Sequence, residues 1–223
     1  GQPDGLGKIT APDGRTYEGD WIERQMTGEG KATYANGSVY EGSFVKGTHN
    51  GKGKLTNPSG YTYEGDWVLG VKEGKGSITY PDGTVYEGAL VKGQRSGTGK
   101  LTMPDGLVYQ GDWAEGQING KGILTQPNGD VYEGSFKDGL RDGQGKMTHE
   151  TGDIYYGAWV KDRRQGQGSF TTTDGFKYEG AWAAGMMEGT GSITYPDGSV
   201  YIGAMKADQP NGQGAITYPD GST

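Results

Sequence analysis

Hydrophobic and polar residues alternate in short runs along the whole chain, and the runs recur at a fixed interval. In the stretch 80–103, YPDGTVYEGALVKGQRSGTGKLTM, the segments VYEGALV and GTGKLTM alternate from one residue to the next. Side chains on a β-strand point alternately to its two faces, so this alternation predicts strands. No run without glycine is longer than eight residues, which is shorter than a typical helix. Strands and turns are therefore predicted throughout.

The interval is 23 residues, and it is marked by tyrosine. The tyrosines stand at Tyr17, Tyr40, Tyr63, Tyr86, Tyr109, Tyr132, Tyr155, Tyr178 and Tyr201. Four residues after each tyrosine stands a large apolar residue: Trp21, Phe44, Trp67, Leu90, Trp113, Phe136, Trp159, Trp182 and Met205. A Gly-x-Gly triplet follows in every copy, and a turn such as PDG or PNG ends the unit.

Two short connections occur in each unit, one inside it and one at its end, so neighbouring strands are expected to be antiparallel. Each unit is then one β-hairpin. The sequence predicts an all-β fold of about nineteen strands, a single-layer antiparallel meander of tandem β-hairpins. Residues 1–16 form a partial repeat and residues 17–223 form nine repeats in one continuous domain, interpreted as part of a longer chain. The nine are 17–39, 40–62, 63–85, 86–108, 109–131, 132–154, 155–177, 178–200 and 201–223.

The alternation of glycines with large side chains suggests a register. If Leu90 pairs with Gly99 and Gly88 pairs with Leu101, each large side chain covers a bare glycine on the neighbouring strand, which compensates for glycine in a strand. The same register sets Asp20 opposite Lys31 on the polar face.

The composition limits the chemistry. Glycine and proline make up about a quarter of the 223 residues, only 31% of the residues are hydrophobic, and cysteine is absent, which excludes disulfides and thiol-based sites. The net charge of −7 disfavours nucleic acid as a partner. His49 and His149 are a hundred residues apart and are expected at the surface, and no catalytic, cofactor or metal site is predicted. No segment is apolar enough for a membrane span.

The unit Y-x-G-x-[WFL]-x-x-G-x-x-x-G-x-G-x-[LI]-T-x-P-[DN]-G resembles the MORN repeat over essentially the whole chain. The resemblance implies an elongated, twisted antiparallel sheet with a shallow aromatic groove lined by the rings of the repeat. It also implies non-catalytic work: tethering near membranes, scaffolding, or capture of partner peptides. Copies one, seven and nine depart from the pattern. Arg24, Asp162 and Asp208 replace the loop glycine there, and either drift or local function explains them.

The leading functional prediction is a scaffold that is not an enzyme. It binds a protein, a peptide or a second copy of itself through the aromatic groove, because Tyr and Trp anchor interfaces. The predicted groove residues are Tyr17, Trp21, Tyr40, Phe44, Tyr63, Trp67, Tyr86, Leu90, Tyr109, Trp113, Tyr132, Phe136, Tyr155, Trp159, Tyr178, Trp182 and Tyr201.

Two alternatives stay open. One is a membrane-surface tether, in which Lys161, Arg163 and Arg164 would contact lipid headgroups. The other is a regulatory segment of an enzyme whose catalytic domain lies elsewhere. A cytoplasmic or membrane-peripheral location is favoured over export, which is not excluded.

Overall fold

The computed structural model describes residues 4–223, in which the chain forms nineteen β-strands and no helix. The predicted all-β meander and its strand number are thereby confirmed. Residues 1–3, the start of the predicted partial repeat, lie outside the described residues. The described chain falls into two compact units, one of residues 4–106 and 112–117, the other of residues 107–111 and 118–223.

In the first unit each strand pairs antiparallel with the next one in the chain. Its strands are β1 (Gly5–Thr10), β2 (Thr16–Ile22), β3 (Gln25–Thr33), β4 (Val39–Val45), β5 (Thr48–Thr56), β6 (Thr62–Val68), β7 (Val71–Thr79), β8 (Val85–Val91) and β9 (Gln94–Thr102).

The second unit repeats the same antiparallel order. The strand β10 (Val108–Ala114) is divided between the units. The others are β11 (Gln117–Thr125), β12 (Val131–Lys137), β13 (Leu140–Thr148), β14 (Ile154–Val160), β15 (Arg163–Thr171), β16 (Lys177–Ala183), β17 (Met186–Thr194), β18 (Val200–Lys206) and β19 (Gln209–Thr217).

Each hairpin closes through a two-residue loop in the left-handed region. In the fourth repeat Lys92 and Gly93 have φ of 50° and 78°, as a type I′ turn requires at both positions. Gly97 follows with φ of 61° in a β-bulge on the return strand. The first glycine of the Gly-x-Gly triplet therefore supplies the backbone conformation of the bulge.

The predicted register inside the hairpin was wrong. Leu90 pairs with Arg95, and Gly88 pairs with Gly99. The tight loop fixes the pairing at the hairpin end, and the bulge then places three residues of β9 opposite one residue of β8. The two glycines consequently meet across the strands. The large side chains pair with residues other than those expected.

A ring does cover the glycine pair, and it belongs to the repeat tyrosine. A Cβ atom added at Gly99 would lie 2.5 Å from Cε2 of Tyr86, so only glycine fits beneath the ring. The Tyr86 hydroxyl donates to the carbonyl of Ala89 at 2.8 Å. The indole N–H of Trp113 donates to the carbonyl of Gly99 at 3.2 Å. The second glycine of the triplet thus lets the rings lie flat on the backbone.

The opposite face carries exposed ion pairs, most of them formed by glutamate, although Asp66 pairs with Lys52. Lys31 lies opposite Glu18 in β2 and forms an ion pair of 2.5 Å with Glu41. Asp20 instead accepts the backbone N–H of Glu29 at the bulge, at 3.1 Å. The pairing of Asp20 with Lys31 was wrong because it followed from the wrong register.

Candidate functional site

The predicted groove residues form the core of both units. The repeat tyrosines from Tyr40 to Tyr178 are 0% exposed, and the tryptophans from Trp67 onward are at most 4% exposed. Trp21 and Tyr201, near the two ends of the repeat array, are half-buried. Neighbouring rings meet edge to face, for example Tyr63 and Trp67 with centroids 5.1 Å apart. The face that carries these rings, called here the ring-bearing face, thus has its largest side chains covered.

A second set of side chains lies on this face and varies from repeat to repeat. It stands nine residues after each tyrosine, directly opposite the large apolar residue, as Lys72 stands opposite Trp67 and Arg164 opposite Trp159. We call these the column residues. In the first unit they are Met26, His49, Lys72 and Arg95, and in the second they are Ile118, Arg141, Arg164, Met187 and Pro210. All are half-buried except Met187, which is buried, and Pro210, which is exposed.

The first unit stacks its polar column residues on rings. The imidazole of His49 is parallel to the ring of Tyr40, with centroids 3.6 Å apart, and its Nε2 lies 2.5 Å from the Tyr34 hydroxyl. The Lys72 ammonium lies 4.6 Å from the Tyr61 ring centroid. The Arg95 guanidinium lies 4.3 Å from the Trp113 ring centroid and donates to the carbonyl of Gly116 at 2.7 Å.

Partial burial disfavours the charged forms of His49 and Lys72. Burial lowers the pKa of His49 to about 4 and lowers the pKa of the Lys72 ammonium. His49 is therefore neutral near pH 7, and the Tyr34 hydroxyl donates to its Nε2. The expectation that His49 is a surface residue was wrong, because the ring-bearing face partly buries it.

The second unit holds two arginines at the column position. Arg141 lies over Trp159 at 4.5 Å from the ring centroid, and its Nε donates to a carboxylate oxygen of Asp162 at 2.8 Å. Arg164 lies among three rings, with its Cζ 4.9 to 5.2 Å from the centroids. These three rings belong to Tyr155, Phe170 and Trp182. Burial lowers the pKa of Arg164.

A polar chain continues from Arg164. Its Nη2 donates to Nε2 of His149 at 3.2 Å, and Nδ1 of His149 lies 3.1 Å from a carboxylate oxygen of Asp130. These bonds fit a neutral imidazole with its proton on Nδ1, donated to Asp130. His149 is half-buried, so its expected surface position was also wrong. An open hollow of about 270 Å³ lies here, and Arg141, Arg164, His149 and Trp159 are among its lining residues.

The predicted lipid-contact cluster does not project as one group. Lys161 occupies the hairpin loop and is exposed, as is Arg163, whereas Arg164 turns onto the rings and is half-buried. Within residues 4–223, no helix is long and apolar enough to cross a membrane. Nor do those residues include a group of three or more His, Cys, Asp or Glu side chains that could hold a metal ion.

The sequence analysis missed the column. Its residue types differ from copy to copy, so the repeat pattern does not indicate whether this position is buried or exposed, or which face it lies on. The available signal was the run of His49, Lys72, Arg95, Arg141 and Arg164 at one repeat phase in an acidic chain.

The chain belongs to the MORN repeat family. The MORN repeat model matches ten consecutive segments: residues 1–14, 17–39, 40–60, 63–85, 86–108, 109–131, 132–154, 155–176, 178–200 and 201–223. These segments agree with the nine full repeats and one partial repeat predicted above. No curated protein matches the chain by sequence.

Two solved structures share the fold. The wild-type TCP10 domain of Danio rerio CPAP in complex with a peptide of Danio rerio STIL has a TM-score of 0.53 and 16% identity, and the match covers 97% of this chain and 96% of that one. The wild-type TCP10 domain of Danio rerio CPAP has a TM-score of 0.51 and 14% identity, with 89% and 94% of the two chains covered. At these identities the likeness concerns the fold alone.

Proposed function

We propose that this chain is a non-catalytic scaffold that binds an extended segment of a partner protein along its ring-bearing face. The column residues are the side chains that select the partner. The repeated rings supply the frame, because they are buried in nearly every copy. The observation that carries the proposal is the contrast between the recurring, mostly covered large side chains and the variable column, whose members are mostly half-buried.

The chemistry of the column suits an interface. Arginine and aromatic residues are enriched among the residues that dominate binding energy. Here arginines lie over indole rings, as the Arg95 guanidinium lies 4.3 Å from the ring centroid of Trp113. Such stacking fixes the cation before a partner arrives, so less side-chain entropy is lost on binding.

The shared fold supports a peptide as the occupant. The TCP10 domain of Danio rerio CPAP, which has the same fold, was solved with a peptide of Danio rerio STIL. The low identity transfers neither the peptide nor its contacts to this chain. It supports only the class of partner.

A second copy of the chain and a lipid surface are the competing occupants. A lipid surface is less suited, because clustered exposed cations attract anionic membranes, whereas the basic column residues are half-buried and each lies on its own rings. A regulatory role for an enzyme outside these residues is compatible with the same binding face.

Two isoleucines on β11 allow a matched test. Ile118 is a half-buried column residue, and Ile123 is 43% exposed and pairs with Glu133, whose repeat position lies on the opposite face. Peptides that bind the unmodified chain are first selected from a library of short random peptides. A photo-cross-linking amino acid is then placed at position 118 in one variant and at position 123 in another, and each variant is mixed with the selected peptides.

Cross-links from position 118 and not from position 123 are the expected result. Cross-links from position 123 alone, or equally from both positions, would move the partner off the ring-bearing face. Chain-to-chain cross-links from position 118 without peptide would identify a second copy as the occupant. Flotation with anionic vesicles that competes with the peptides would favour the lipid surface.

A further inference from the structure

We infer that the hollow beside Arg164 is an acid-recognition site, which takes the carboxylate of an aspartate or glutamate in the bound partner segment. The inference rests on the proposed function. It adds the chemistry by which one position of the partner is read.

Arg164 is the half-buried guanidinium of the second unit that lacks a carboxylate. A guanidinium carries five N–H donors, and the one hydrogen bond of the Arg164 side chain within the described residues goes to the neutral His149. No ion pair joins Arg164 to an acidic residue in that part of the chain. Arg141, one repeat earlier, differs because its Nε contacts Asp162.

The nearby carboxylates are already engaged. Asp130 receives the imidazole N–H of His149 and the backbone N–H of Glu150, at 3.1 and 3.0 Å. Asp162 receives Arg141 at 2.8 Å. Asp208 receives the backbone N–H of Met187 at 2.7 Å. None of these three contacts the Arg164 guanidinium.

The surroundings of Arg164 favour the binding of an anion in the hollow. A partly desolvated cation without a carboxylate in contact is costly, and the surrounding ring faces offset only part of that cost. The charge of Asp208 acts favourably on Arg164 without forming an ion pair, and the positive charge of Arg141 acts unfavourably. A carboxylate in the hollow would compensate both guanidinium groups, and it could accept two parallel N–H bonds from Arg164.

The charge and size of the hollow fit one carboxylate. Its lining includes three arginines, Arg141, Arg163 and Arg164, and two aspartates, Asp130 and Asp162, which leaves one positive charge with His149 neutral. One carboxylate neutralises that excess, whereas a doubly charged phosphate exceeds it. The volume of about 270 Å³ is just below the range of small-molecule pockets, which suits a single side chain.

The test uses the full chain and peptides selected on it from the random library. The peptide is made in two forms, with its recurrent acidic residue as glutamate or as glutamine. Each form is measured against the unmodified chain, R164Q and K161Q. Lys161 lies in the loop before Arg164 and is not among the residues that line the hollow, so K161Q removes one nearby positive charge without changing the site.

We expect the glutamine peptide to bind the unmodified chain and K161Q about 10- to 100-fold more weakly than the glutamate peptide, the range for a hydrogen-bonded charged group. In R164Q the two peptides should bind within about 3-fold of each other. R164K should restore part of the preference for glutamate, because lysine keeps the positive charge but cannot donate two parallel N–H bonds to the carboxylate as a guanidinium can. Unchanged melting of R164Q and R164K verifies that both variants fold.

The two proposals fail differently. If peptides cross-link at position 118 but show no preference for glutamate, or keep the full preference in R164Q, the acid-recognition site is wrong and the scaffold function stands. If selected peptides do not cross-link at position 118, the scaffold function itself is wrong. A preference that falls as far in K161Q as in R164Q would indicate general charge attraction and would also overturn the site.

Discussion

The two units carry basic side chains at the same repeat position but surround them differently. In the first unit Lys72 and Arg95 lie on rings, and the described residues place no carboxylate in ion-pair contact with either of them. In the second unit Arg141 is held by Asp162, and Arg164 is bonded through His149 to Asp130. The same frame therefore presents stacked cations in one unit and an organised polar hollow in the other.

The difference originates in a few departures from the repeat. Asp162 replaces the loop glycine and has φ of 68°, a conformation that costs a non-glycine residue energy. In return its carboxylate accepts both the backbone N–H and the side-chain Nε of Arg141, at 3.0 and 2.8 Å. Asp208 makes the same backbone contact with Met187 in the ninth repeat. The feature specific to the seventh repeat is the added contact with the Arg141 side chain, which holds that guanidinium in place.

The largest predicted effect tests whether the buried rings of the repeat stabilise both units equally. W67A in the first unit and W182A in the second should each lower the free energy of local unfolding by about 3–5 kcal/mol, because each leaves a cavity under neighbouring rings. Native-state hydrogen exchange of the flanking strands measures this free energy in each unit separately. A loss in one variant less than half that in the other would show that the frames differ.

A smaller effect is expected at the glycines beneath the tyrosine rings. G99V and G168V would place side-chain atoms against Tyr86 and Tyr155, where even a Cβ atom lies 2.5 or 2.6 Å from the hydroxyl oxygen. We expect each to cost about 3 kcal/mol from overpacking. T98V and Q167V are the controls, since both positions are exposed. Equal hydrogen-exchange stabilities of G99V and T98V would contradict the packing described here.

How far the sequence predicts this molecule can be stated residue by residue. The fixed spacing of tyrosines predicts every hairpin, because a 23-residue period with two short connections leaves little room for another fold. The register at Leu90 and Gly99 was not predictable in the same way, since the bulge depends on φ at Gly97. Alternation of residue types carries no signal for the two extra residues in β9.

The positions of His49 and His149 are a second feature that the sequence did not predict. His49 and His149 were expected at the surface because they are far apart in sequence and isolated. Both lie on the ring-bearing face and contact residues from adjacent repeats, Tyr34 in one case and Arg164 in the other. Such contacts depend on strand pairing. They became visible only with the correct register.

The half-buried histidine of the first unit, His49, predicts a dependence of stability on pH. The pKa of His49 is lowered to about 4 from an unfolded value of 6.5, so the folded state disfavours the proton. The corresponding stability is complete above pH 6.5 and is lost as pH falls toward 4. We expect a loss of about 2 kcal/mol over this range, less than the full linkage value because the ring is partly exposed.

The matched variant is H49M, which places at this position the residue that Met26 provides one repeat earlier. Carboxylates elsewhere titrate alike in both proteins, so the difference between their stabilities isolates His49. The quantity to measure is the stability of strands β4 and β5 by hydrogen exchange at a series of pH values. Identical pH profiles for the two proteins would mean that His49 is not desolvated as described.

The smallest predicted effect concerns the contact that distinguishes the two units. D162N keeps a side chain that tolerates the left-handed conformation and an oxygen that can accept the Arg141 backbone N–H, but it removes the negative charge. Because Asp162 is 40% exposed and the Arg141 side chain only 18%, we expect a loss of about 1 kcal/mol in the local stability of β13 and β14. D208N is the matched control, since Asp208 accepts a backbone N–H from Met187 and the described residues give it no ion pair. A loss in D208N as large as that in D162N would assign the effect to the loop conformation, and the paired arginine would then no longer explain why the second unit differs from the first.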